Sequence, residues 1–321
     1  MKIAVVGPGA VGSYYGAKLA RAGHEAHFLL RSDYEHVRRN GVRVISPEGD
    51  FNARVKCARA PEEIGPADLV LIALKTTAND ILTRVLPPMV GPGTAILTLQ
   101  NGLGNEEVLA SIFPIEQIMG GLCFVCLNRT APGVVHHIAH GKIELGEFQR
   151  WPEPRTHDIA GAFRHAGVPC CVRENLERAH WEKLVWNIPF NGLGVASCAG
   201  HEAVRTGLYK GRIAECLTTD RLLADENWHA IVRTLMREVI ETANAFDLKI
   251  PMDCADEQIE KTRVMGAYKP STLVDFLRGQ PVELQTLFLE PLCRADGRGV
   301  AVPQLSALCE ILARVNPGAG E

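Results

Sequence analysis

The period of the apolar positions changes partway along this chain. Up to about residue 172, short β-branched and aliphatic runs recur between Gly, Pro, Asn and Asp, the pattern of strands separated by turns and helices. KIAVV (2–6) is the first run, followed by Glu25 to Leu30, ADLVLIALK (67–75), TAILTLQ (94–100) and the strands within Ile118 to Glu147, which turn at Ala131-Pro132-Gly133. Gly41 to Cys57 reads as a hairpin, with VRVIS and FNARVKC on either side of a Pro-Glu-Gly-Asp turn. A Pro-rich break at Trp151–Pro154 precedes a helix from Thr156 to Ala166 and a short strand from Val168 to Val172. From Glu174 onward the period is helical and no strand is convincing, so two domains are predicted, 1–170 and 171–321. LMREVIETANAFDL (235–248) is the clearest amphipathic helix of the second, and Ser271-Thr272 opens another.

The first strand runs into Gly7-Pro8-Gly9-Ala10-Val11-Gly12 and then into a helical pattern that Gly23 closes. This is a G-x-G-x-x-G sequence in its required setting of strand, tight turn and helix. Gly7 allows the turn, Gly9 lets backbone approach a pyrophosphate, and Gly12 permits close packing of helix on strand. The expected fold class is therefore α/β: an N-terminal Rossmann-type doubly wound sheet that binds a dinucleotide, plus a C-terminal all-helical domain. After the second strand, where an acid would hold the ribose hydroxyls of NAD, stands Arg31, which suits a 2′-phosphate and favours NADPH. The alternative is a solvated Arg31 with Ser32 or Asp33 capping the next helix. Ligands of open parallel sheets sit beyond the strand C-termini, which makes Lys75 and Asn101 candidates for cofactor and substrate contacts.

Composition narrows the partner. A net charge of −3 with no basic run argues against a nucleic-acid surface. No apolar run approaches a membrane span and the N-terminus enters a strand at once, so a cytoplasmic protein acting on a small molecule is expected. The ten cysteines are scattered through apolar surroundings, as reduced core thiols are. Cys123 and Cys126 form a C-x-x-C within a strand pattern, where residues three apart face opposite ways, and His136, His137 and His140 lie in an alternating strand with no clear carboxylate or Cys partner. Neither group is expected to hold a metal.

Glu174 to Ala196 carries Lys183, Asn187 and Asn191 four residues apart, which on a helix aligns one cation and two amides beside an apolar face of Leu184, Val185 and Ile188. Such a stripe is either solvated or needs a ligand. Far along the chain Glu283 follows an Arg-Gly-Gln-Pro break at the start of a helix.

GPGAVGSYYG (7–16), Leu74-Lys75, Gln100-Asn101-Gly102, the Lys183-x-x-x-Asn187-x-x-x-Asn191 helix and STLVDFLRGQPVE (271–283) together resemble the ketopantoate reductase (2-dehydropantoate 2-reductase) family over nearly the whole chain. The resemblance implies NADPH-dependent reduction of a 2-keto acid, 2-dehydropantoate to (R)-pantoate in pantothenate biosynthesis. It also implies Lys183 as general acid with Glu283 beside it, and Asn101, Asn187, Asn191 and Ser271 as substrate contacts. Two departures, Asn191-Gly192-Leu193-Gly194 where the family usually reads N-P-L-T and Glu283-Leu284-Gln285 where it reads E-I-D, predict an altered pocket rim. A β-hydroxyacid dehydrogenase shares the Lys-x-x-x-Asn helix but places a Gly-rich segment before its Lys, which CVRENLERAHWEK (171–183) lacks. A non-catalytic NADPH-binding sensor is the alternative from another class. Helical second domains of this kind often pair, making a homodimer the natural assembly to test.

Overall fold

The computed structural model describes residues 1–316 and divides into two units, Met1–Asn101 with Asn105–Leu176, and Gly102–Gly104 with the chain from Glu177 onward. In the first unit β1 (Lys2–Val6), α1 (Ala10–Arg21), β2 (Glu25–Leu29) and α2 (Tyr34–Asn40) lead to the short strands β3 (Val42–Ile45), β4 (Phe51–Ala53) and β5 (Lys56–Ala58). Next come β6 (Leu69–Ile72), α3 (Leu82–Val85), β7 (Ala95–Thr98) and α4 (Asn105–Ala110). The paired strands β8 (Ile118–Ala131) and β9 (Val134–Glu147), then α5 (Pro154–His165) and β10 (Cys170–Val172), complete it.

The sheet order is β4-β3-β9-β8-β7-β6-β1-β2-β5, with β10 beside β9. Pairing is parallel from β5 through β2, β1, β6 and β7 to β8, while β8–β9 and β3–β4 are antiparallel. The expected second hairpin strand is split. Phe51–Ala53 pairs with β3, but Lys56–Ala58 pairs with β2 at the other end of the order. Only Arg54 and Val55 separate them, and an extended chain gains at most about 3.6 Å per residue, so the sheet must curl until its ends nearly meet. Helix α1 lies inside the curl, packing on β1, β2, β3, β4, β8 and β9, with Tyr14 and Tyr15 fully buried.

Asp33 does not cap α2 with its side chain. Its carboxylate instead accepts hydrogen bonds from the Arg129 guanidinium and from the Gly133 backbone N–H at 3.1 Å, tying the end of β2 to the β8–β9 turn. Burial raises its pKa, but the charged and backbone donors outweigh that and hold it below the ordinary Asp value. A depressed acid contributes stability that is complete above the unfolded pKa near 3.8 and is lost as pH falls through the lower folded value. Asp33→Asn should therefore cost about 1–3 kcal/mol at neutral pH, with the gap to wild type closing below about pH 4. Urea melts at several pH values measure it, and a gap independent of pH would contradict the assignment.

The second unit holds helices and no strand among its described residues. Helix α6 (Leu176–Ala196) starts at the end of the first unit, and α7 (His201–Thr206), α8 (Thr219–Ala224), α9 (Glu226–Asn244) and α10 (Cys254–Arg263) follow it. Then come α11 (Ser271–Leu277), one π-helical turn (Gln285–Leu289), α12 (Glu290–Gly297) and α13 (Pro303–Val315). The amphipathic helix expected from residue 235 begins at Glu226, because Asp225 caps it by accepting the N–H groups of Asn227 and Trp228. Trp228, Ile231 and Val232 extend its apolar face into the core with Leu235, Met236, Val239 and Ile240. No helix among the described residues is long and apolar enough to cross a membrane.

Candidate active site

Register brings together the candidates of the first unit. Val6 pairs with Ile72 and Ile72 with Thr98, so β1, β6 and β7 end level and release Gly7, Lys75 and Asn101 at one edge of the sheet. At Gly7 the backbone turns with φ +81°, and a Cβ there would lie 2.5 Å from the backbone nitrogen of Leu74. A Cβ on Gly12 would lie 2.6 Å from the Gly7 carbonyl, so Gly12 lets α1 start close against the turn. Gly9 differs, since a Cβ on it would meet no atom nearer than the Gly7 carbonyl at 4.0 Å. The backbone there faces open space at the N-terminus of a twelve-residue helix with no acid in its first turn, which fits an approaching pyrophosphate. Pro8 turns its carbonyl inward to accept the Ser13 hydroxyl at 2.8 Å, and Ala10 and Val11 form the first turn of α1.

Arg31 is exposed just beyond β2. The first acid after it, Asp33, has both oxygens occupied by Arg129 and Gly133, so it is not available to ribose hydroxyls. Lys75 is exposed where β6 gives way to the short helical segment Thr76–Ile81. Asn101 is half-buried, and its loop is held by a relay of side chains that sequence reasoning did not find. The Gln100 amide donates to the Leu74 carbonyl at 3.1 Å and to Asn79 Oδ1 at 2.7 Å; Asn79 donates to Asn105 at 3.3 Å, and Asn105 to the Asn101 carbonyl at 3.1 Å. Two polar segments, TTAND (76–80) and GNEE (104–107), give no sign in sequence that their asparagines meet. The helix after Asn101 starts only at Asn105. Between them Gly102, at φ +88°, lies so close to Thr286 that a Cβ would fall 2.3 Å from its carbonyl oxygen, while the Leu103 N–H donates to that oxygen at 3.0 Å.

The candidates of the second unit lie on and around α6. Trp181, Leu184, Val185, Ile188, Phe190, Leu193 and Val195 are buried in one core, each large apolar side chain contributing about 1.5–3 kcal/mol. Pro189 sits inside the helix, where it cannot donate to the Val185 carbonyl. On the polar stripe Lys183 is half-buried, while Asn187 and Asn191 are only 7% and 3% exposed, so the two amides are not solvated surface groups. Asn191 Oδ1 accepts the Thr272 backbone N–H at 3.0 Å and the Ser271 hydroxyl at 3.4 Å, and its Nδ2 donates to Asn187 Oδ1 at 3.4 Å. The stripe therefore continues onto the start of α11, with Ser271 at its exposed end.

Glu283 is 4% exposed immediately before the π-helical turn that also receives Leu103. The departures at Gly192 and Gly194 fall where α6 meets other helices. Gly192 faces Leu308 and Phe288, where a Cβ would come within 2.7 Å of Leu308, and Gly194 faces Leu273 at 3.5 Å, so both serve helix packing.

Residues 3–150 match the family model described as ketopantoate reductase PanE/ApbA, and residues 211–316 match that family's C-terminal model. The chain belongs to the ketopantoate reductase family. A 2-dehydropantoate 2-reductase of Nostoc sp. is 38% identical over 317 residues, 96% of this chain and 92% of the relative. Among solved structures, 2-dehydropantoate 2-reductase from Geobacter metallireducens is 46% identical with a TM-score of 0.89, covering 98% of this chain and 99% of that one. The enzyme from Methylococcus capsulatus is 32% identical with a TM-score of 0.88, covering 100% of this chain and 98% of that one. Ketopantoate reductases are nicotinamide-dependent oxidoreductases acting on a CH–OH group, and this chain is an enzyme of that class.

The remaining sequence candidates have structural surroundings. Cys123 and Cys126 lie on β8, where register shifts against β9 follow Phe124 and Cys126. Buried His137 has Nδ1 2.9 Å from the Ser46 hydroxyl and Nε2 2.8 Å from the His140 carbonyl, which occupies both ring nitrogens inside the protein.

Proposed function

We propose that this chain uses NADPH to reduce the ketone of a small 2-keto acid, 2-dehydropantoate to (R)-pantoate, as a step of pantothenate biosynthesis. The observation that carries the reading is the stripe from half-buried Lys183 through the buried Asn187 and Asn191 to Ser271, together with a family membership that spans both units. The first unit is read as the NADP-binding domain and the second as the substrate and catalytic domain.

NADPH supplies the hydride. Gly7 to Gly12 and the N-terminus of α1 receive the pyrophosphate, Arg31 pairs with the 2′-phosphate, and Lys75 and Asn101 border the cofactor beyond β6 and β7. Lys183 donates the proton that turns the ketone oxygen into a hydroxyl, and Glu283 orients its ammonium. Asn101, Asn187, Asn191 and Ser271 fix the acid so that its carbonyl carbon is presented in one orientation.

Purified protein should oxidise NADPH in the presence of 2-dehydropantoate, with NADH and a panel of other 2-keto acids run in parallel. Turnover of another acid alone would move the substrate and keep the chemistry, while tight NADPH binding with no turnover on the panel would leave the sensor reading. Arg31→Ala should raise KM for NADPH about 10- to 100-fold, the value of one charge-assisted contact, and change KM for NADH little. Equal loss with both cofactors would remove Arg31 from the 2′-phosphate.

A further inference from the structure

The second unit holds a pair of thiols that no step of the proposed reaction uses. Cys198 lies in the short turn Ser197–Ala199 that ends α6, and Cys216 lies in the irregular stretch 207–218 between α7 and α8. Distant in sequence, they are brought together by backbone contacts. The Ile213 and Ala214 N–H groups donate to the Cys198 carbonyl at 2.8 and 3.1 Å, and the Leu217 N–H donates to the Ser197 hydroxyl at 2.9 Å. The Cys216 thiol reaches the Val195 carbonyl at 3.8 Å, about one turn before Cys198, and hydrogen-bonds the Cys198 sulfur. Arg212 adds its charge to both thiols; its guanidinium donates to the Val315 carbonyl at 3.3 Å and stacks over the Phe276 ring at 4.6 Å. Two thiols in contact beside a cation are the surroundings of a reactive pair, not of inert core cysteines. The hydrogen bond from Cys216 and the Arg212 charge bring the Cys198 thiol down to about 7 against the opposing effect of burial, while donating that bond and being buried push Cys216 up. At neutral pH a large share of the pairs therefore carries a thiolate on Cys198 and the proton on Cys216.

We propose that Cys198 and Cys216 form an oxidation site, closed to an intramolecular disulfide by a small two-electron oxidant of the peroxide class, which ties the 207–218 stretch to the end of α6. The proposal stands apart from the keto-acid reading and does not depend on it. Cys198 is 3% exposed, and access to it comes past Cys216, which is half-buried in a stretch whose residues 212–215 are exposed and outside any helix or strand. The Cys198 sulfur attacks one peroxide oxygen, the O–O bond breaks and hydroxide leaves, giving a sulfenic acid. That hydroxide takes the Cys216 proton. The Cys216 sulfur then attacks the Cys198 sulfur, forming S–S, breaking S–O and releasing a second hydroxide, which takes back the proton that Cys198 had given to solvent. Two thiols lose two electrons, and one peroxide is reduced to two waters. Sulfur atoms already in contact need little backbone movement to be bridged.

The test treats the reduced protein with hydrogen peroxide, unfolds it, blocks the remaining thiols with a maleimide and maps the unreduced digest by mass spectrometry. The expected result is the loss of two of the ten thiols and one peptide pair joining Cys198 to Cys216, lighter by two hydrogens than the reduced peptides and separated again by a dithiol reductant. Cys216→Ser should abolish the cross-link and leave a Cys198 sulfenic acid that dimedone traps. Cys198→Ser should abolish it too but leave Cys216 as a thiol, because its proton is no longer shared with a thiolate. Should either serine variant fail to fold, the wild-type peptide map decides alone. Cys198 and Cys216 both still free once the exposed Cys171 and Cys293 have been oxidised, or either of them joined to a different cysteine, overturns the proposal.

Discussion

Replacing Lys183 by Ala should lower turnover about 10²–10⁴-fold, the usual value of general acid help, while leaving NADPH affinity within about twofold of wild type. The reason lies in where the side chain sits. Lys183 is half-buried on a helix whose neighbouring turns are packed in the core, so its position is fixed by α6 rather than by a mobile loop. A positioned acid of this kind acts on the transition state, where negative charge develops on the ketone oxygen, and contributes less to the ground state. The loss should therefore appear in kcat more than in KM for the acid. Steady-state kinetics with single-turnover controls measure it, and a variant that retained full turnover would rule out Lys183 as the proton donor. Lys183→Arg is a useful companion, because it keeps the charge but holds its protons too tightly to donate them, so it should recover little of the lost rate.

The largest stability effect is expected from Glu147→Ala. The Glu147 side chain is completely buried at the end of β9, where it accepts hydrogen bonds from the Arg155 guanidinium and from the Thr156 hydroxyl on the first turn of α5. That hydroxyl in turn accepts the Glu153 N–H at 2.9 Å, so the carboxylate anchors the capping box that starts the helix. Removing it leaves a partly buried guanidinium without its counter-charge and a buried hydroxyl without its acceptor. Breaking one partner of a buried pair costs about 3–5 kcal/mol, which for a unit of this size lowers the melting temperature by roughly 6–20 °C. Glu147→Gln, which keeps an acceptor oxygen for Thr156, should lose less. Thermal melts followed by circular dichroism decide it, and a shift smaller than about 2 °C for Glu147→Ala would show that the pair contributes little.

The short-range signals in the sequence determined a great deal. Strand, Gly-rich turn and helix at 2–21 need only neighbouring residues, and the β1–α1 arrangement with open space above Gly9 follows from them. The four-residue spacing of Lys183, Asn187 and Asn191 likewise fixes one stripe whatever surrounds the helix, because the α-helical period is local. The long β8–β9 pair about Ala131-Pro132-Gly133 and the change to helices after residue 174 were also legible, since strand and helix periods differ.

Long-range contacts decided the rest. Nothing in FNARVKC (51–57) shows that its two halves pair at opposite ends of a curled sheet, because that depends on closing the sheet around α1. Asp33 carries the local signature of a helix cap, and only the arrival of Arg129 and Gly133, about a hundred residues later, draws its carboxylate away. At Gly192 the sequence shows only a small residue beside Asn191, and it takes the fold to show that Leu308 and Phe288 pack against it. The stripe on α6 shows the division most clearly. Sequence supplied which side chains point the same way, but whether two amides are solvated or buried, and which of their atoms donates, is set by the Thr272 N–H from another helix. Spacing is a property of one helix, whereas hydrogen-bond polarity belongs to a pair of groups, and the chain must fold before that pair exists.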